Sequence, residues 1–166
     1  MRIIVLSGQL YSLLNFRGHL LREMVNRGHE VIACAPPADT SLEKGILVLG
    51  VRYIPIDFDR TGMSPLQDCR LILRLYSLFR ELKPDCLLSY TIKPVVYGSI
   101  AAQLASVSTI FSLITGLGYA FIGTGKRKRL LNRLVSALYR LSLRFNRLVF
   151  FQNPDDRDLF IKNQMV

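Results

Sequence analysis

The chain has 166 residues, half of them apolar, and its 22 Lys and Arg against 12 Asp and Glu leave a formal charge of +10. That length and apolar content suffice for one domain with a filled core and exclude wholesale disorder. The excess charge is local: no acid falls between Asp85 and Asp155, a stretch with nine bases, while elsewhere 13 bases meet 12 acids. A basic face that seeks the phosphates of lipid, nucleic acid or nucleotide is the expectation.

The first segment, Arg2 to Ser7, is a continuous apolar run ending at Gly8, the pattern of a parallel strand covered on both faces. Its apolar core, Ile3 to Leu6, is too short for the hydrophobic region of a signal peptide. Phe16, Leu20, Leu21, Met24 and Val25 then recur at helical spacing until Arg27-Gly28, where the glycine supplies a cap. A second strand is expected over Glu30 to Ala35, a short helix around Ser41 to Leu49 and a third strand over Val51 to Ile56. Ser64-Pro65 provides an N-cap and a first-turn proline, and Leu71, Ile72, Leu75, Leu78, Phe79 and Leu82 form the stripe of a long helix ended by Lys83-Pro84.

Asp85 to Ser89 reads as the fourth strand, Val95 to Ala105 as a small-residue helix and Ser108 to Ile114 as the fifth strand. The uncharged stretch Pro94 to Gly125 exceeds the roughly 20 residues of a spanning helix, so a membrane span is the alternative there. Its many Ser and Thr residues and terminal glycines favour the division into helix and strand. After a loop, Thr115 to Gly125, come a helix over Arg127 to Asn146, a sixth strand over Leu148 to Phe151, and a last helix capped by Asn153 with Pro154, Asp155 and Asp156 in its first turn. Strands alternating with helices throughout give the α/β class, a Rossmann-like doubly wound parallel sheet, in one domain spanning 1–166.

Ligands of such a sheet bind beyond the carboxyl ends of the strands. The loop Ser7-Gly8-Gln9 has one glycine where a dinucleotide fingerprint needs three, so a nicotinamide or flavin cofactor is not expected. Gly8 still leads into a helix start, with Asn15 and Arg17 near, that either binds one phosphate or is an ordinary turn. Gly118 and Gly123 have the spacing of a phosphate-binding loop, but Thr124 stands where its lysine belongs, which argues against a nucleoside triphosphatase. After the fourth strand, Thr91 and Lys93 precede a helix; the lysine is either a point charge for a phosphate or simply solvated. His19 and His29 lack partners at ligand spacing, and Cys34, Cys69 and Cys86 fit neither zinc spacing nor a disulfide framework. No metal is expected, and a reducing compartment fits best.

On the helix from Arg127, Leu131, Leu134, Leu138, Leu141, Phe145 and Leu148 form the expected packing face. Arg129, Arg133, Ser136, Arg140, Arg144 and Arg147 lie about 200° away at 100° per residue. The arginine stripe suits an anionic membrane surface; nucleic acid comes second, because no aromatic interleaving or known binding motif accompanies it.

Read together, Met1 to Ser7, Phe16-Arg-Gly18, Arg27 to Val31, Ile54-Pro-Ile56, Ser64-Pro65, Lys83-Pro-Asp85, Thr91 to Pro94, Gly116-Leu-Gly118 and Gln152 to Asp156 resemble the N-terminal half of family-four glycosyltransferases of the GT-B class, especially the bacterial branch that assembles surface polysaccharides. The resemblance implies a two-domain enzyme that moves a sugar, usually from a uridine diphosphate sugar, to a lipid-linked or glycan acceptor with retention at the anomeric carbon. The nucleotide-sugar is a co-substrate and no further cofactor is implied. The first domain chiefly holds the acceptor, often on a polyprenyl diphosphate, and the C-terminal nucleotide-sugar-binding domain is absent, so the chain on its own is expected to be inactive. Gly8, Gln9, Asn15, Arg17, Thr91, Lys93, Gly116, Leu117 and Gly118 become the candidate substrate-binding residues. Where relatives carry a histidine near the donor sugar this chain has Thr115, whose hydroxyl, or the N–H groups of Gly116 to Gly118, would take over its role. The implied location is cytoplasmic, peripheral on the inner face of the plasma membrane with Arg129, Arg133, Arg140, Arg144 and Arg147 against its lipids. A non-catalytic binding half-domain and a basic nucleic-acid-binding α/β protein are the alternatives.

Overall fold

A computed structural model describes residues 1–59, 64–116 and 125–166. Six strands, β1 (Arg2–Leu6), β2 (Glu30–Ala35), β3 (Arg52–Pro55), β4 (Cys86–Tyr90), β5 (Thr109–Ile114) and β6 (Leu148–Phe151), alternate with helices α1 (Leu10–Asn26), α2 (Thr40–Val48), α3 (Pro65–Leu82), α4 (Ile92–Leu104), α5 (Lys126–Leu143) and α6 (Pro154–Lys162). All pairings are parallel, in the order β3-β2-β1-β4-β5-β6. This is the doubly wound Rossmann-like sheet that the alternation predicts.

Strand periodicity divides the core. Ile3, Val5, Val31, Ala33, Cys86 and Leu88 point to the side covered by α1 and α2. Ile4, Leu6, Ile32, Cys34, Leu87 and Ile110 face α3, α4, α5 and α6. Helix α4 lies buried between α3 and α5, and it comes close to the sheet because Gly98 has no Cβ: one built there would stand 2.8 Å from Leu6 Cδ2. A spanning helix through Pro94 to Gly125 is therefore overturned; α4 ends at Leu104 and β5 follows. Among the described residues no helix is long and apolar enough to cross a membrane. The same hydropathy arises from burial in protein.

The boundary signals act as expected. Gly28 takes φ +78° after α1, Lys83 takes φ +46° after α3, and Asn153 Oδ1 accepts the Asp156 N–H at 2.8 Å. Ser64 occupies the N-cap of α3 without a side-chain hydrogen bond.

Two helix faces differ from the predicted stripes. On α1 the buried residues are Leu10, Leu13 and Leu21, whereas Phe16 and Leu20 are 66 % and 41 % exposed, Phe16 meeting Tyr11 edge-on at 6.3 Å. On α5 the buried side is Val135, Ser136, Tyr139, Ser142 and Leu143; Leu134, Leu141 and Leu148 face solvent. The packing face is rotated from the predicted one by roughly a third of a turn at 100° per residue. A buried polar network fixes this rotation. Asn146 Oδ1 accepts from Ser112 Oγ at 2.8 Å, and its Nδ2 donates to Ser99 Oγ at 3.0 Å and to the Ser142 carbonyl at 3.1 Å, while Ser112 Oγ also lies 3.2 Å from Ser89 Oγ. The network ties α4, α5, β4 and β5 at one point.

Candidate functional site at the sheet's switch point

The winding direction of the sheet reverses between β1 and β4, since β1 leads outward to β2 and β4 leads the other way to β5. A crevice must open above the carboxyl ends of these two strands, because their following helices leave on opposite sides. Ser7 and Gly8 close β1 there, both buried. Ser7 Oγ accepts the Gln9 N–H and lies 3.2 Å from the Gln9 carbonyl, which fixes the turn into α1. Gln9 is the exposed N-cap residue of α1.

From β4 the crevice receives Tyr90, 2 % exposed, and Thr91. The Arg17 guanidinium of α1 lies over the Tyr90 ring at 5.4 Å from its centroid. Burial raises the Tyr90 phenol, opposed by the neighbouring Ser12 and Ser7 hydroxyls and the Arg17 charge. None of these neighbours completes a hydrogen bond to it. The Tyr90 hydroxyl, Thr91 Oγ1 and Arg17 Nε are the buried side-chain polar atoms left without a hydrogen-bond partner among the described residues. Buried polar groups are ordinarily satisfied, so three orphans in one crevice require an explanation from outside the fold. Thr91 also has φ +70° and ψ 155°, a conformation ordinarily left to glycine.

The predicted site residues fall into groups. Gly8, Arg17 and Thr91 gather at the crevice, and Thr115 and Gly116 follow β5, whose Leu113 pairs with Tyr90, so they stand at the same edge. Gly116 has φ +148°. Leu117 and Gly118 lie outside the described residues, as does most of the glycine loop. Asn15 is two positions from Arg17, so it projects from another side of α1, and its Nδ2 donates to the Tyr11 carbonyl at 2.9 Å. Lys93 is not a bare point charge. Its ammonium meets Asp68 Oδ1 at 2.8 Å in a pair whose side chains are 10 % and 15 % exposed. Burial, and after it the neighbouring Asp68 carboxylate, pushes the Tyr97 phenol up.

Of the arginine stripe, Arg129, Arg133, Arg144 and Arg147 are exposed, with Leu130, Leu134 and Leu141 beside them. Arg140 is committed within the fold: its Nε and Nη2 donate to the Gln164 and Asn163 carbonyls, both at 2.8 Å, at the end of α6. Ser136, predicted on that stripe, is buried against Asn132.

Residues 15–165 match the model of the glycosyl transferase 4-like domain, a span that takes in β2 to β6 and the helices from within α1 onwards. The chain belongs to that family. A Campylobacter jejuni relative of this glycosyltransferase domain, named N,N'-diacetylbacillosaminyl-diphospho-undecaprenol alpha-1,3-N-acetylgalactosaminyltransferase, is 28% identical over 163 residues, which are 98% of this chain and 43% of that protein. Among solved structures, Anabaena HepE in complex with UDP and glucose has a TM-score of 0.68 at 16% identity, covering 98% of this chain and 41% of its own. A UDP-GlcNAc 2-epimerase from Neisseria meningitidis bound to UDP-GlcNAc has a TM-score of 0.62 at 16% identity, covering 99% of this chain and 44% of its own. These two likenesses, both at 16% identity, show the fold alone. The glycosyltransferase domain spans less than half the length of each of these relatives.

Proposed function

We propose that the chain is the acceptor-side half of a retaining glycosyltransferase that moves a sugar from a UDP-sugar to a lipid-diphosphate-linked glycan. The carrying observation is the trio of unpartnered buried groups at the switch point, Arg17 Nε, Tyr90 OH and Thr91 Oγ1. They are hydrogen-bond donors placed beside the N-terminal end of α1, which adds free N–H groups and positive potential. Such a set is suited to diphosphate oxygens. In transfer, the bond from the anomeric carbon to the diphosphate oxygen breaks with its electron pair on the leaving diphosphate, and the acceptor hydroxyl oxygen bonds to that carbon as its proton passes to the leaving diphosphate oxygen. Donors already oriented towards the developing charge lower the barrier without reorganising. Thr115 and the N–H of Gly116 stand at the same edge and complete the donor side in this reading.

A second, C-terminal domain supplies the nucleotide pocket, so the 166-residue chain binds without turning over. The exposed row of Arg129, Arg133, Arg144 and Arg147, interleaved with Leu130, Leu134 and Leu141, has the chemistry of a helix face lying on anionic lipid at the cytoplasmic surface of a bacterial inner membrane. At about 1 kcal/mol for each base near such a surface, four give about 4 kcal/mol.

The test adds UDP and pyrophosphate to the isotopically labelled chain and follows its amide resonances. Shifts at Gly8, Arg17, Tyr90 and Thr91 support the reading, and their absence removes it. Transfer of label from a UDP-sugar by the 166-residue chain would contradict the two-domain assignment. Binding to anionic but not neutral vesicles, weakened by salt, supports the membrane assignment; equal binding to both rejects it.

A further inference from the structure

Thr91 joins two fixed points. Tyr90 before it is held in the sheet opposite Leu113, and Lys93 after it is held by Asp68 on the first turn of α3. Between them Thr91 takes φ +70° and ψ 155°, and its carbonyl opens α4 by accepting the Val95 N–H at 3.0 Å. A residue with a side chain keeps such a backbone only where its surroundings over-determine it. The body of α4 is seated on the sheet at Gly98, which lies against Leu6, but that contact is more than a turn beyond Thr91. In the first turn the N–H groups find no partner within the helix, and Pro94 has none to offer. Asp68 reaches this turn from α3, meeting the Lys93 ammonium at 2.8 Å with both side chains nearly buried.

The chemistry of the contact suits it to positioning. A buried ion pair adds little stability over two apolar side chains of the same size, but it fixes a distance and a direction where apolar side chains can slide. Tyr97, one turn further along α4, is buried beside the same carboxylate, so Asp68 stands against two turns of that helix. With Lys93 released, the turn would be free to take up a negative φ at Thr91. Its Oγ1, one of the three unpartnered atoms of the crevice, would then swing away from the other two. We propose that Asp68 is a positioning residue: through Lys93 it holds Thr91 in its positive-φ turn and so keeps the hydroxyl aimed at the diphosphate site. The backbone part follows from the geometry; the diphosphate as ligand rests on the transferase reading above.

Thr91 reports its own backbone, because a positive φ brings its amide and α protons close and gives a strong intraresidue NOE. In the isotopically labelled 166-residue chain that NOE is expected for the parent and for Lys93→Arg, which keeps a charge opposite Asp68, and it is expected to weaken in Asp68→Asn. Should Asp68→Asn fail to fold, Asp68→Leu combined with Lys93→Met removes the charge pair without leaving a void and carries the same expectation. Pyrophosphate, titrated into each folded variant, should bind about tenfold more weakly wherever the NOE is lost, the loss expected for one hydrogen bond to a charged group. In a Thr91→Gly background, which has neither the hydroxyl nor the strain, breaking the pair should leave the pyrophosphate affinity unchanged; a merely structural role would weaken both backgrounds alike. A strong NOE in folded variants that lack the pair, or equal weakening with and without the Thr91 hydroxyl, overturns the proposal and leaves the transferase reading standing. If the parent chain ignores both pyrophosphate and UDP, that reading falls, and the NOE alone decides whether Asp68 sets the turn.

Discussion

Removing the Tyr90 hydroxyl should stabilise the free protein and weaken its hold on a diphosphate. An unsatisfied buried polar group costs about 1–3 kcal/mol. At Tyr90 the Ser7 and Ser12 hydroxyls and the Arg17 charge offset part of that, and the missing oxygen leaves a small void. A net gain of about 1 kcal/mol for Tyr90→Phe is expected, which for a chain of this size raises the melting temperature by about 2–4 °C. Thr91→Gly acts on the backbone of the same crevice. Relief of a conformation costing about 1–3 kcal/mol exceeds the roughly 1 kcal/mol that glycine adds in chain entropy. Ligand binding should move the other way, because losing a hydrogen bond to a charged group is worth about 1.5–3 kcal/mol, a tenfold or greater rise in Kd. Urea melts with and without pyrophosphate, analysed at constant slope, separate the two effects. Loss of more than 1 kcal/mol by ligand-free Tyr90→Phe would show that the hydroxyl is satisfied within the fold. Equal stabilisation of parent and variant by pyrophosphate would show that the crevice is not where the ligand sits. Either result refutes the reasoning.

Asp68→Asn should cost about 3–5 kcal/mol, since it leaves the buried Lys93 ammonium without its charge partner, and Asp68→Leu combined with Lys93→Met should recover much of that loss in the same urea melts. Asn146→Ala strips partners from Ser99 and Ser112 together and is expected to lower stability by about 3 kcal/mol, with unfolding slopes unchanged. Burial holds the Cys34 thiol up at about 12 and the Cys86 thiol at about 11, from 9.0, so at pH 8 a maleimide should label exposed Cys69 in the native chain and all three cysteines in urea, counted by intact mass. Each buried thiol keeps its proton more tightly folded than unfolded. Its contribution is therefore complete below pH 9.0 and lost as pH rises through about 11 to 12, at up to about 1.4 kcal/mol per pH unit for each thiol. A stability curve flat from pH 9.0 to 11 would contradict that burial.

The sheet was legible because a parallel strand covered on both faces is a nearly continuous apolar run, and each such run here ends at a glycine, proline or polar turn that stops pairing. Helix boundaries were legible for a similarly local reason: Gly28, Lys83-Pro84 and Asn153-Pro154 act within a residue or two of themselves. The rotation of α1 and α5 was not legible, because each helix carries more apolar residues than one face can bury. Phe16 and Leu134 compete on equal terms with Leu13 and Val135 until the neighbouring elements choose between them. For α5 the choice falls to Asn146 and its serine partners on β5 and α4, up to 47 residues away. The error had a functional consequence, since the leucines assigned to packing join the arginines at the surface and turn a polar stripe into an amphipathic one.

The site divides along the same line. Gly8, Thr91 and Thr115 could be located from sequence because the ends of parallel strands are where ligands bind, whatever the ligand. Asp68 reaches Lys93 across 25 residues, and this contact commits to an ion pair within the fold a lysine that the sequence offers as a phosphate charge or a solvated side chain. What distinguishes Tyr90 is the lack of a hydrogen-bond partner in a buried place, which no spacing rule encodes because it depends on what every other element fails to supply. The same property makes Tyr90 informative. A chain that satisfies Ser7, Ser112 and Asn146 while leaving three polar atoms unmet in one crevice has the means to close such gaps, and it keeps these open where the winding of the sheet admits a ligand. If satisfying them from within would stabilise the free chain, as the Tyr90→Phe comparison measures, then their persistence is a stability cost borne at the one edge where binding a diphosphate would repay it.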